Sequence, residues 1–333
     1  MKKNIAIIAG GDSSEFPVSM NSAKTIENAL DQNLYNVYKI IVQGADWKMN
    51  YKDQEVAVNK DDFSCKIQGK DLHFDCAVIL IHGTPGENGV LQGYFEALRI
   101  PYSTCGVLSS SLTFNKIFSK HYISQFNIDI SRFKVIKQGE SYTSKEIVKE
   151  LGLPCFVKPN RGGSSFGITK VFKEEEMEEA INKAFEEDYE VLAEEYLEGV
   201  ELTCGLIKTA KQEWIFPPTE IVSKNEFFDY EAKYTKGMAD EIRPARISKE
   251  LEQEVKELSS KIYDLFNCRG IVRIDYIYAH EKLYFMEVNT IPGMSAASIV
   301  PQQIEANGNT LTEIFTLAIE DAIRNNQKEG LRN

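Results

Sequence analysis

Ile271-Val272-Arg273-Ile274-Asp275-Tyr276-Ile277 and, downstream of it, Leu283-Tyr284-Phe285-Met286-Glu287-Val288-Asn289 decide how this chain is read. In the first run Val272, Ile274 and Tyr276 alternate with Arg273 and Asp275, the period of a strand that buries one face. The second run repeats the pattern with Glu287 and Asn289. With the reversal at Ala279 to Glu281, one register sets Asp275 opposite Glu287 and Arg273 opposite Asn289, so that four polar groups share a face. An Asp directly across from a Glu costs a sheet up to roughly 1 kcal/mol. A bound cation would offset that cost, and two carboxylates with an amide oxygen are hard donors suited to magnesium. A solvated edge hairpin is the other reading of the same pattern.

Upstream, Lys158-Pro159-Asn160-Arg161-Gly162-Gly163-Ser164-Ser165-Phe166-Gly167 leaves a short apolar strand. It offers unobstructed N–H and hydroxyl donors to a phosphate, with Lys158 as a cation. No Gly-Lys-Ser/Thr closes it, so it is not a Walker A loop, and a surface turn would share its composition. Gly10-Gly11-Asp12-Ser13-Ser14-Glu15 follows the first strand without GxGxxG spacing, which argues against a dinucleotide-dependent oxidoreductase. Glu15 stands just before a helix, where a carboxylate is a favourable cap. Its place at the carboxyl end of a parallel strand also suits a ligand.

Around these motifs the chain alternates β-rich and amphipathic helical runs. Strands are expected at Asn4 to Ala9, Tyr35 to Val42 and Cys76 to Ile81, and helices at Pro17 to Leu30 and Val90 to Arg99, a Rossmann-like first lobe. A second unit opens near Ser109 with a helix over Leu112 to Phe126 that carries Lys116 and Lys120. Strands at Phe133 to Ile136 and Pro154 to Lys158 follow, then an acidic helix from Glu174 to about Phe185. The third unit starts near Glu201 and holds a long polar stretch, Ser223 to Arg246. A helix over Ser248 to Phe266, the carboxylate hairpin and a helix over Thr310 to Asn325 complete it. The fold class is α/β, with α+β lobes.

The chain has 333 residues, enough for two to three such units, and a formal charge of -12. No basic domain marks a nucleic-acid surface, and no run approaches the roughly 18 uncharged apolar residues of a membrane span. The apolar run Ile5 to Ala9 is too short for a signal peptide, so a soluble, unprocessed protein is expected. Six scattered cysteines, without a CxxC pair or zinc-ligand spacing, are expected as reduced thiols.

Five blocks stand in one order: Gly10 to Glu15 with Val18-Ser19; His82-Gly83-Thr84-Pro85-Gly86-Glu87-Asn88-Gly89 with Gln92-Gly93; Lys158 to Gly167; Phe228-Asp229-Tyr230-Glu231-Ala232-Lys233-Tyr234; and Glu287-Val288-Asn289-Thr290-Ile291-Pro292-Gly293-Met294. Together they resemble the D-alanine:D-alanine ligase family of the ATP-grasp superfamily, from Gly10 to the final helix. The resemblance implies a Rossmann-like N-terminal domain (1–108) followed by a two-lobed ATP-grasp fold (109–200 and 201–333), with 223–246 covering the site. It implies a cytoplasmic, homodimeric enzyme that supplies a peptidoglycan precursor. ATP would phosphorylate one D-alanine on its carboxylate, and the amine of a second would attack the acyl phosphate.

By the same resemblance Asp275, Glu287 and Asn289 would hold two magnesium ions, or manganese, with Glu287 bridging them. Lys116 and Lys158 would contact the ATP phosphates, with Ser165 and Lys233 also at the nucleotide. The adenine would lie against Glu194, Glu195, Tyr196 and Leu197, a segment whose residues alone read as an exposed strand edge. Glu201 would accept from the ribose. Glu15 would receive the first ammonium, in a network with Ser164 and Tyr234, and Arg273 and Gly293 would serve the oxyanion. Ser298 would bind the second carboxylate, with His82 and Met294 also at the substrates. Tyr234 favours D-alanine over D-lactate as second substrate. The sequence departs from the family at Phe114-Asn115-Lys116, at Asn88 and at Gly162. A ligase for D-lactate or D-serine and a catalytically silent nucleotide-binding protein are the alternatives.

Overall fold

The computed structural model describes residues 2–52, 54–163, 166–223 and 239–330. Ser164, Ser165, Lys233, Tyr234, the rest of the block Phe228 to Tyr234 and most of the 223–246 stretch lie outside them.

Strand β1 (Lys3–Gly10) is fully buried from Ile5 to Ala9, which is why it reads as an unbroken apolar run. It pairs in parallel with β2 (Tyr35–Gln43). Strands β3 (Asp46–Tyr51), β4 (Gln54–Asn59), β5 (Ser64–Ile67) and β6 (Lys70–Leu72) extend the sheet antiparallel beyond β2, and β7 (Cys76–Ile79) joins β1 on its other side, in parallel. This four-strand extension was not expected from sequence. Helix α1 (Phe16–Ala29) starts one residue after Glu15, with Pro17 in its first turn, where a missing N–H is harmless. Helix α2 (Val90–Ala97) is shorter than expected.

The Leu112 to Phe126 run is two helices, not one: α3 (Val107–Phe114) and α4 (Lys116–Ser124). Asn115 breaks it. Its backbone is extended and its Oδ1 accepts from Phe118 N at 2.9 Å. Short polar side chains compete with helical backbone bonds and serve as N-caps, so the departure at this position keeps a capping residue. Strand β8 (Phe133–Lys137), helix α5 (Ser144–Leu151), strands β9 (Cys155–Pro159) and β10 (Thr169–Val171), helix α6 (Met177–Phe185) and strand β11 (Glu190–Glu195) follow. The strands form an antiparallel sheet in the order β10-β9-β11-β8. Strand β11 is therefore interior, and Glu194 on it is buried. The exposed-edge reading of this segment fails because β8 and β9 cover both sides.

The third sheet runs β15-β14-β12-β16-β17, with β13 (Glu213–Ile215) beside β12. Its strands are β12 (Val200–Lys208), β14 (Thr219–Ser223), β15 (Ala239–Ile242), β16 (Ile271–Ala279) and β17 (Lys282–Asn289). The hairpin has the expected register, Arg273 against Asn289 and Asp275 against Glu287. A bulge follows Asp275, and His280-Glu281 turn with φ of 50° and 60°, the left-handed pair that tight hairpins favour. Helix α7 (Lys249–Leu265) buries Leu251, Val255 and Ile262 against this sheet. Helices α8 (Ile299–Ala306) and α9 (Leu311–Gly330) return the chain to the first unit, where Ile314, Phe315 and Ile319 share a core with Ile5, Ile26 and Val78. The six cysteines are free and buried. Among the described residues no helix is long and apolar enough to cross a membrane.

Candidate functional site

The carboxylate patch is built by neighbouring strands. Arg273 Nε and Nη2 donate to Asp275 Oδ1 and Oδ2 at 2.9 and 2.7 Å, a forked, charge-assisted pair. From β12, Thr203 Oγ1 donates to Asp275 Oδ1 at 2.5 Å. Lys116, the first residue of α4, holds Nζ 3.6 Å from Glu287 Oε2 and donates to Gly162 O at 2.9 Å. Asn289 Oδ1 accepts from Ile291 N at 3.1 Å, which orients its amide. Two carboxylates and an amide oxygen on one face of adjacent strands fit a hard divalent cation. Among the described residues no cluster of three His, Cys, Asp or Glu offers an alternative metal site.

Two cavities flank the patch. One, of about 180 Å³, is lined by Lys116, Lys158, Glu194, Glu195, Leu197 and Glu201, with Arg273, Asp275 and Glu287 at its wall. Within it Lys158 Nζ is paired to Glu194 Oε2, and Glu194 Oε1 receives Lys120 Nζ at 2.5 Å and the Ser131 hydroxyl. Burial alone would raise the Glu194 carboxyl; Lys120 and Lys158 overcome it and hold the group well below the carboxylate range. Tyr196 is not among the lining residues; its ring packs beside Phe156, which is, and under Lys170 Nζ, 3.9 Å from the ring centroid.

The other cavity, of about 260 Å³, is lined by Glu15, His82, Gly293 and Ser298, and it shares Lys116, Arg273 and Glu287 with the first. His82 is buried, with Nδ1 2.8 Å from Ile291 O. Burial lowers its pKa, against the raising influence of Glu15. Ser298 is the N-cap of α8, and its Oγ lies 2.8 Å from Ser295 Oγ, so a hydroxyl and a helix N-terminus converge there. A Cβ on Gly293 would meet Ser298 Oγ at 2.8 Å, so the glycine keeps that hydroxyl in place. Met294 does not line this cavity. Its side chain is in the core with Val300 and Ile304, and its N–H donates to Ser22 Oγ at 3.0 Å.

Glu87 and Thr203 join the site without having been singled out in the sequence. Glu87 lines the second cavity and accepts from Gly83 N at 2.7 Å. Burial, then the charge of Glu15, pushes its carboxyl up to about 8. Its only signal was membership of the His82 to Gly89 block. Thr203 carried none, because an alternating Thr reads as strand. Asn88 anchors its loop through Thr84 Oγ1 at 3.1 Å and Val90 N at 3.2 Å. Gly162 follows Arg161, which is tied to Asp188 by Nε at 2.9 Å and Nη2 at 2.6 Å.

Comparison with known proteins identifies the family. A family model described as D-ala D-ala ligase N-terminus matches residues 4–105, and one described as D-ala D-ala ligase C-terminus matches residues 122–320. A D-alanine--D-alanine ligase of Bacteroides fragilis is 48% identical over 96% of this chain and 99% of its own. That of Christiangramia forsetii is 42% identical over 98% and 100%. Among solved structures, a D-Ala:D-Ser ligase from Enterococcus faecalis matches with a TM-score of 0.85 at 32% identity, covering 97% of this chain and 99% of that one. A Bacillus anthracis D-alanine--D-alanine ligase complexed with ATP matches with 0.79 at 29% identity, covering 98% and 99%. The fold is that of an ATP-grasp ligase with a Rossmann-like first domain. From the motifs, the paired cavities and these matches over nearly its whole length, the chain belongs to the D-alanine:D-alanine ligase family.

Proposed function

We propose that this protein joins two D-alanine molecules at the expense of ATP, with release of ADP and phosphate. The observation that carries the reading is that Lys116, Arg273 and Glu287 belong to both cavities, so a group bound in one meets a group bound in the other at a charged partition. In this reading the larger cavity takes the amino acids and the smaller takes the nucleotide.

The γ-phosphoryl group passes to the carboxylate of the first D-alanine, giving D-alanyl phosphate and ADP. The amine of the second D-alanine then forms a C–N bond at the acyl carbon as phosphate leaves and the amine gives up a proton. Glu15 receives the first ammonium, and Ser298 with the N-terminus of α8 receives the second carboxylate. Arg273 faces the oxyanion that develops during attack. Lys116 and Lys158 neutralise phosphate charge, and Glu195, Leu197 and Glu201 border the nucleoside. Asp275, Glu287 and Asn289 would hold magnesium, which when bound supplies charge neutralisation to the phosphates.

Residues 1–108, 109–200 and 201–333 are assigned as the three domains, and the protein as a cytoplasmic homodimer that supplies a peptidoglycan precursor. Mass analysis of the product formed from ATP, magnesium and D-alanine tests the function: D-alanyl-D-alanine is expected. The likeness to a D-Ala:D-Ser ligase motivates a second arm with D-serine and D-lactate present. A dominant mixed product there would overturn the choice of second substrate.

A further inference from the structure

Lys120 is fully buried, one helical turn along α4 from Lys116. Its Nζ stands 2.5 Å from Glu194 Oε1 and donates to Ser131 Oγ at 2.9 Å, while the Ser131 hydroxyl donates to that same carboxylate oxygen. Glu194 Oε2 is taken by Lys158, which lines the nucleotide cavity. The Glu194 side chain is 2% exposed, that of Lys120 0% and that of Lys158 10%. One enclosed carboxylate is therefore divided between a lysine sealed from solvent and a lysine at a cavity wall. The trio carries one surplus positive charge.

We propose that Lys120 is a positioning residue for nucleotide binding, holding Glu194 compensated through Oε1 so that Lys158 can exchange Oε2 for a phosphate oxygen. The inference rests on the reading of the smaller cavity as the ATP site. Its physical basis is the cost of breaking a buried ion pair, most of which comes from the charge left without a partner. With Lys120 in place, departure of Lys158 leaves a neutral pair behind, completed by the Ser131 hydroxyl. Without Lys120, departure of Lys158 would strand Glu194 as a bare buried anion, so Lys158 would stay and the phosphates would lose a cation. Lys120 does not line the cavity itself and acts through Glu194.

The test is a double-mutant cycle in the full-length protein, read by calorimetric binding of ADP with magnesium chloride and by KM for ATP and for D-alanine. Lys120→Met is expected to weaken ADP binding at least about tenfold and to raise KM for ATP in parallel, with KM for D-alanine unchanged. In the Glu194→Gln background, where no anion is stranded, the same substitution is expected to cost less than about threefold. Equal losses in both backgrounds, or no loss in either, would overturn the proposal. Should Lys120→Met fail to fold, Ser131→Ala takes its place in the cycle. It removes the hydroxyl from Glu194 Oε1 and is expected to weaken ADP binding about threefold only where Glu194 is present; an equal or absent effect in both backgrounds overturns the proposal. If the unaltered protein binds no ADP, the ATP-site reading itself fails, an outcome distinct from unequal or equal steps within the cycle.

Discussion

Gly163 lies against the Glu15 carboxylate: a Cβ on Gly163 would stand 2.7 Å from Oε2 and 3.6 Å from Oε1. The segment that follows β9 therefore brings Gly163 against the group proposed to receive the first ammonium. Because the clashing atoms end a flexible side chain, Gly163→Ala can be accommodated by moving Glu15, at little cost to the fold. The variant is expected to raise KM for D-alanine by about tenfold while Tm changes by less than about 2 °C. Steady-state kinetics with D-alanine varied, alongside a thermal melt, checks it. Unchanged KM would separate Glu15 from the ammonium.

Glu87 makes stability depend on pH in a defined direction. Its carboxyl is pushed from 4.5 up to about 8, first by burial and then by the charge of Glu15. Between those values the folded protein holds a proton that the unfolded chain has released, so this contribution is full below 4.5 and lost as pH rises through about 8. Glu87→Gln cannot ionise. In metal-free buffer its Tm is expected to gain on the parent by several degrees between pH 5.5 and pH 9, on the order of 3 kcal/mol. A difference that stays constant across that range would refute the assignment.

Much of this architecture is legible in the sequence because its determinants are local. The alternation around Arg273 and Asp275 and the matching run ending at Asn289 set the hairpin register, and the turn fell at His280-Glu281 within the expected reversal. Other features depend on what the chain meets after folding. Glu194 reads as an edge residue until β8 and β9 enclose it, and two lysines then make its burial tolerable. The strands between Asp46 and Leu72 carry many charged and exposed positions and so lack clean alternation. Asn115 divided a helical pattern because one side-chain cap outweighed continuity. The motif around Met294 borders the second cavity, yet its own side chain supports the core while Gly293 and Ser298 line the cavity.

Thr203 supports the proposed metal patch from the neighbouring strand. Its hydroxyl reaches Asp275 Oδ1 at 2.5 Å, the same oxygen that accepts from Arg273 Nε at 2.9 Å. Groups that orient a metal ligand typically contribute about 10-fold or more to metal affinity when removed. Thr203→Val keeps the shape and deletes the hydrogen bond. The magnesium concentration giving half-maximal activity is expected to rise about 5- to 10-fold, with KM for D-alanine little changed. A magnesium titration indistinguishable from that of the parent would show that Arg273 alone suffices to orient Asp275.

Gln303 couples the patch to the helix that presents Ser298. It is fully buried on α8; Oε1 accepts from Gly205 N at 2.9 Å, and Nε2 donates to Thr203 O at 2.9 Å and Thr219 Oγ1 at 3.0 Å. These bonds fasten α8 to β12 beside Thr203, so the proposed second-carboxylate site and the Asp275 support share one anchor. Gln303→Leu fills similar space but leaves Gly205 N and Thr203 O without this partner in a buried place. Each such group costs about 1–3 kcal/mol, so a loss of roughly 2–5 kcal/mol is expected by chemical denaturation. Gln303→Glu retains an acceptor for Gly205 N but sets a carboxylate oxygen against Thr203 O in a fully buried place, so it should lose at least as much stability as the Leu variant. If the Leu variant were as stable as the parent while kcat and both KM values held, the anchor would lie elsewhere on α8. If stability fell and KM for D-alanine rose with it, the same three hydrogen bonds would account for both the fold of the third sheet and the placement of Ser298.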